Sequence, residues 1–193
     1  MKNSKAIRSQ VIDGIKNLLI EEKQFLSENR AEARDLTLLD DLLFQIDDLF
    51  MLVIAGEFNS GKSAFINALL GDSILETGVT PTTADITILR HGETKEMFRS
   101  KKGQKVIVIR NDILEDISIV DTPGTNAILR EHEELTTDFI PRSDLVLFIT
   151  SVDRPFTESE RKFLESIKDW GKKIVIIINK TDIVENPQDL EKV

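Results

Sequence analysis

The sequence predicts an α/β domain, a mostly parallel sheet flanked by helices, preceded by two amphipathic helices. Three observations predict it. From residue 50 onward, short apolar runs alternate with segments of helical periodicity. Several of those runs are apolar on both faces, as strands covered by helices on each side must be. Residues 4–50 carry helical periodicity alone.

Taken in order, Ile7, Val11, Ile15 and Leu18 share one helical face. After the polar stretch "SENRAEARD" a second set follows: Leu39, Leu42, Leu43, Ile46, Leu49 and Phe50, with Asp40, Asp41, Asp47 and Asp48 opposite. Two such helices need a surface to cover: each other, the following domain, or helices beyond this chain. The domain boundary is placed between residues 49 and 50. "FMLVIAG" then reads as a buried strand ending in glycine, and "SAFINALLG" as a helix. "ADITILR", "KVIVIR" and "ISIVDTPG" read as strands. "RSKKGQK" between two of them reads as a solvated hairpin turn, an anion or lipid contact being the alternative. "LREHEELTTDFI" is a helix and "DLVLFITS" a buried strand. "TESERKFLESIKDW" is a helix opened by a capping box from Thr157 to Glu160 and closed by Trp170, read as packing. "KKIVIIINKTD" is the most apolar strand.

Composition narrows the function. At 193 residues, with 40% hydrophobic and 31% charged residues, the chain has an ordinary soluble balance. No apolar run approaches the roughly 20 residues of a membrane span. The N-terminal stretch is interrupted by acids and amides and lacks the apolar core of a secretory signal. Cysteine is absent, which removes disulfides and thiolate metal sites and fits a cytoplasmic location. His91 and His132 are too few and too scattered for a metal cluster. A net charge of −9 argues against bulk nucleic-acid binding.

Four motifs stand out, three at predicted strand ends and the fourth in a loop before a strand. Gly56, Gly61, Lys62 and Ser63 match G-x-x-x-x-G-K-[ST] between a strand and a helix. The glycines let successive N–H groups curl around phosphate, and the helix N-terminus adds partial positive charge. Lys62 reaches the β- and γ-phosphates and Ser63 ligates Mg²⁺, while Asn59, Ser60 and Ala64 complete the nucleotide-contacting stretch. In "DTPG", Asp121 can hold Mg²⁺ and the Gly124 N–H can sense the γ-phosphate. In "NKTD", the Asp182 carboxylate can accept from N1–H and the N2 amine of guanine, a pattern adenine does not offer. There Lys180 lies over the base and Asn179 ties the turn to the phosphate loop. The fourth, "GVTPTTADITIL", places Thr83, or else Thr82, to close on Mg²⁺ when the γ-phosphate is present.

Together "GEFNSGKSAFINALLG", "GVTPTTADIT", "ISIVDTPGTN", "FIPRSDLVLFITSVDRPFTESE" and "IIINKTD" resemble a GTPase of the dynamin superfamily, in particular the bacterial dynamin-like proteins and the chloroplast fuzzy-onions-like GTPase. The resemblance covers about residues 50–190. It implies GTP as substrate, GDP and phosphate as products, Mg²⁺ as cofactor, and a homodimer through the GTPase domain. It implies N-terminal neck helices, and a full-length form peripheral to a membrane that it remodels. Only 193 − 182 = 11 residues follow Asp182, so the rest of the GTPase fold and the membrane-binding stalk are expected outside this chain. Thr125 stands where small GTPases carry a water-orienting glutamine, and Phe58 where classical dynamins do. Asn59 either helps hold K⁺ beside the phosphates or merely tolerates its turn. Asp153 and Arg154 shape a helix entry or reach across a dimer. Arg130, Glu131 and His132 read as a solvated face. The competing expectations are a nucleotide-gated interaction module with little hydrolysis, and a ribosome-associated GTPase.

Overall fold

The computed structural model describes residues 2–29, 32–46, 50–77, 85–100, 102–123 and 135–184. The chain divides into two units, Met1–Leu49 and Phe50–Val193.

The first unit is two helices, α1 (Lys2–Glu28) and α2 (Ala33–Gln45). They pack on one another, with Leu39 buried and Lys23 paired to Asp40. Asp40 therefore turns toward α1, where the sequence pattern assigned it to the outer face. The stripe of Ile7, Val11, Ile15 and Leu18 is exposed. No helix of the described residues is long and apolar enough to cross a membrane.

The second unit is a seven-stranded sheet. Its strands are β1 (Met51–Ala55), β2 (Thr87–His91), β3 (Glu96–Arg99), β4 (Lys105–Ile109), β5 (Ser118–Asp121), β6 (Leu145–Ser151) and β7 (Lys173–Asn179). They lie in the order β3-β4-β2-β5-β1-β6-β7. The run β5-β1-β6-β7 is parallel, and β2 also runs parallel to β4. The β2–β5 and β3–β4 pairs are antiparallel. The sheet is thus the mostly parallel one the sequence predicts. All five residues of β1 are buried, as a central strand with both faces covered requires.

Helix α3 (Lys62–Leu70) follows β1 and packs Ile66 and Leu70 on Leu52, Ile54, Leu89, Ile107 and Ile119. Asn67 pins the chain beyond α3. Its side chain donates to Leu75 O (2.8 Å) and accepts from the N–H groups of Ile74 (3.0 Å) and Leu75 (2.9 Å). Helix α4 (Glu158–Ile167) carries the capping box at Thr157 and Glu160 that the sequence signals. It stacks Phe163 on Phe148 of β6 at 5.9 Å between ring centroids.

Three features differ from the sequence reading. Strand β3, four exposed residues, is too short to announce itself; it forms because the turn at Ser100–Gln104 closes a hairpin. Within the expected 129–140 helix, the described residues form a π-helical turn, Leu135–Phe139, passing into 3₁₀ at Ile140–Arg142. Pro141, with no N–H to donate, fits that irregular end; residues 129–134 lie outside the described residues. Trp170 is not packed away but 46% exposed, at the end of a 3₁₀ turn. The apolar β7 is the sheet's last strand, and Val175 and Ile176 are also 46% exposed.

Ile66 is fully buried under the sheet. Ile66→Ala is expected to lower unfolding free energy by about 2–5 kcal/mol, read by chemical denaturation.

Candidate functional site

The chain leaves β1 into a turn that only particular residues can form. Gly56 has φ +148°, and a Cβ there would lie 2.1 Å from Ile149 O. Gly61 has φ +97° and opens α3; a Cβ there would lie 2.2 Å from Asn179 Nδ2. Asn59, between them, has φ +62°, a conformation asparagine tolerates better than most residues. The result is a loop whose Ser60 N–H donates to Glu57 O (3.2 Å), followed directly by a helix N-terminus.

Lys62 is buried at that N-terminus. Its Nζ donates to the carbonyl oxygens of Gly56 (3.0 Å) and Glu57 (2.9 Å). Burial lowers its pKa to about 8, against the pull of Asp121, Glu160 and Glu57. Ser63, one residue on, donates to Asp121 Oδ2 (3.2 Å) from the end of β5. Asp121 is wholly buried, and burial raises its carboxyl pKa to about 6 despite Lys62, the Ser63 hydroxyl and the Thr122 N–H. Its Oδ1 has no hydrogen-bond partner.

The third strand end joins the same place. Asn179 Nδ2 donates to Ser60 O (2.9 Å). Lys180 has φ +59° and starts the short turn Thr181–Ile183, which holds Asp182 exposed. A cavity of about 360 Å³ opens beside this junction, lined by Glu57, Asn59, Ser60, Asp153, Arg154 and Lys180 among others.

The structure therefore brings together Gly56, Asn59, Ser60, Gly61, Lys62, Ser63, Asp121, Asn179 and Lys180. Ala64 is exposed on the first turn of α3. Thr82, Thr83, Gly124, Thr125, Arg130, Glu131 and His132 lie outside the described residues. A hard cation suits what is present: a serine hydroxyl, and a buried carboxylate with one oxygen unpaired. No group of three His, Asp or Glu that could hold a metal occurs among the described residues, so other oxygens would have to complete its shell.

Sequence reasoning missed several residues here. Thr122 is buried, and its hydroxyl donates to Ile54 O (2.9 Å), fastening the end of β5 to β1. Glu57 accepts from the hydroxyls of Thr157 (2.9 Å) and Ser159 at the start of α4. The capping box was legible; its reach across 100 residues to the turn after β1 left no mark in the local pattern.

Comparison with known proteins agrees with this geometry. A family model described as a 50S ribosome-binding GTPase matches residues 51–180. The chain is 44% identical over 187 residues to a probable transmembrane GTPase, FZO-like and chloroplastic, of Arabidopsis thaliana, covering 94% of this chain and 20% of that protein. It is 26% identical over 205 residues to the bacterial dynamin-like protein of Nostoc punctiforme, covering 83% of this chain and 29% of that one. A solved structure of an oligomerised bacterial dynamin pair superposes with a TM-score of 0.65, covering 97% of this chain and 34% of that chain at 23% identity, a likeness of fold. The chain spans a fifth to a third of these relatives. A turn that only glycine can make, a lysine buried in it, and two further strand ends converging on it go with a family match over most of the chain: this is a member of the GTPase family, akin to its dynamin-like proteins.

Proposed function

We propose that this chain binds Mg²⁺–GTP in the turn from Gly56 to Ala64 and hydrolyses it to GDP and phosphate, as the catalytic part of a longer dynamin-like protein. The observation that carries the reading is the convergence of three strand ends, through the Ser63–Asp121 and Asn179–Ser60 hydrogen bonds.

The residues take these roles. Backbone N–H groups of Gly61 and Ala64, and that of Ser60 once it leaves Glu57 O, surround the phosphates, which the missing side chain of Gly56 lets approach. Lys62 exchanges its two loop carbonyls for the β- and γ-phosphates. Ser63 and Asp121 hold the cation, with Thr83 or Thr82 closing from the next loop and Gly124 sensing the γ-phosphate. Mg²⁺, when bound, supplies charge to the phosphate oxygens. Asp182 accepts from guanine, Lys180 covers the base, and Asn179 keeps the base turn in register with the phosphate turn. Asn59 would help hold K⁺, which would supply positive charge there, or would serve the turn alone.

Dimerisation through this domain, action at a membrane and a cytoplasmic position peripheral to it are part of the same proposal. Dimerisation and action at a membrane draw support from the names of the similar proteins, one a probable transmembrane GTPase, another an oligomerised dynamin pair in a mechanism for tethering membranes; the cytoplasmic position draws on the lack of cysteine. The α1–α2 unit would serve as a neck, its exposed stripe joined by helices from outside this chain. Ribosome binding, named in the family label, fits poorly with a net charge of −9.

Phosphate release from GTP tests the proposal. Turnover per molecule is expected to rise with protein concentration, to fall when Na⁺ replaces K⁺, and to drop about a hundredfold or more in Lys62→Ala. GTP binding without turnover would leave a nucleotide-gated module. Absence of GTP binding would overturn the reading.

Acidity gives a second test. Lys62 must be charged and Asp121 ionised to hold Mg²⁺–GDP. Their pKa values of about 8 and about 6 leave both so only between those limits. Mg²⁺–GDP affinity is expected to weaken as pH rises past about 8, and again as it falls past about 6.

A further inference from the structure

Three non-glycine residues have positive φ among the described residues: Asn59 (62°), Phe156 (54°) and Lys180 (59°). Asn59 and Lys180 line the same cavity, and Phe156 closes the loop from Ser151 whose Asp153 and Arg154 line it too. Backbone held in this region persists only where the surroundings determine it, and such residues gather at functional sites.

The hydrogen bonds show what does the holding. Glu57 follows Gly56 in the phosphate-binding turn. Its Oε1 accepts from the Thr157 hydroxyl (2.9 Å) and from the Ser159 hydroxyl. Thr157 in turn accepts from the Glu160 N–H (3.3 Å), and the buried Glu160 carboxylate accepts from the Thr157 N–H (3.1 Å) and the Thr150 hydroxyl (3.0 Å). The Phe156 N–H reaches that same Thr150 hydroxyl at 3.4 Å. One chain of bonds thus runs from the phosphate-binding turn, through the cap of α4, to the strained end of the 151–156 loop.

We infer that Glu57 is a positioning residue: its carboxylate, gripped by Thr157 and Ser159, fixes the rim of the nucleotide-binding turn and couples nucleotide occupancy to the conformation of the 151–156 loop. Glu57 need not touch the nucleotide. Its own carbonyl is one of the two that Lys62 engages, so Lys62 cannot move to a phosphate without disturbing the residue whose side chain is clamped. The 151–156 loop reaches the surface, with Asp153 and Arg154 exposed, so any contact made there is relayed to the turn. The inference rests on nucleotide occupying the Gly56–Ala64 turn.

The test is a double-mutant cycle in the full chain, reading release of a fluorescent GDP analogue. Glu57→Ala is expected to speed release about tenfold, and Ser159→Ala, which leaves the capping threonine in place, about threefold. The double variant is expected to release no faster than Glu57→Ala, because one clamp is being removed twice. Glu57→Gln keeps the acceptor oxygen and is expected to stay within about twofold of the parent. Amide hydrogen exchange adds a readout that a purely structural role would not move. GDP should slow exchange in the 151–156 loop of the parent and not in Glu57→Ala. Multiplying effects in the double variant, unchanged release in Glu57→Ala, or GDP protection of the loop that survives that substitution would each overturn the clamp. A parent chain that fails to bind GDP would instead overturn the nucleotide reading on which it rests.

Discussion

Everything at this site depends on how closely the end of β7 approaches the turn after β1. Asn179 donates across that gap to Ser60 O, and the gap exists because Gly61 has no side chain. A methyl at Gly61 would sit 2.2 Å from the Asn179 amide, inside any tolerable contact. The parallel β1-β6-β7 register carries the two strand ends to the same edge of the sheet. In the proposed reading, the hydrogen bond then sets the distance between the base-reading turn and the phosphate-binding turn. Gly56 plays the matching part on the β6 side, where a Cβ would meet Ile149 O.

Burial makes this edge electrostatically poised. Lys62 and Asp121 are both taken out of water, and burial acts on each to disfavour its charge. Each is the other's leading source of relief, with Glu57 and Glu160 adding to Lys62. Lys62 meanwhile donates to two carbonyls of its own loop, so the turn keeps its shape through the lysine itself. A phosphate and a cation would satisfy what remains: the lysine's charge and the unpaired Asp121 Oδ1. The same burial that disfavours both charges readies the turn for an anion and a cation.

Much of this was legible in the sequence. The alternation of apolar runs with helical periodicity gave the sheet and helices, and the three strand-end motifs named the residues that the fold gathers. Periodicity is local, and the failures are where long-range contacts decide. Asp40 pairs with Lys23 because the two helices turn toward each other, which its place opposite the leucines could not reveal. Trp170 was read as packing, yet its exposure depends on what lies beside it. Glu57, Thr122 and Ser159 lie inside motifs but at positions to which the motifs assign no role; only the approach of β5 to β1, and of α4 to the turn after it, gives them partners. Thr82, Thr83 and Gly124 lie outside the described residues, and their part rests on the sequence motifs.

In the proposed reading, one guanine nucleotide bridges the Gly56–Ala64 turn and the Asn179–Asp182 turn. Binding of GDP and of xanthosine diphosphate to the parent and to Asp182→Asn tests it most directly. Xanthine carries a carbonyl where guanine carries the N2 amine, so an asparagine amide matches it where a carboxylate does not. The account predicts that the parent prefers GDP and that the variant prefers the xanthosine nucleotide. An Asp182→Asn chain that keeps the parent's preference for GDP would contradict it.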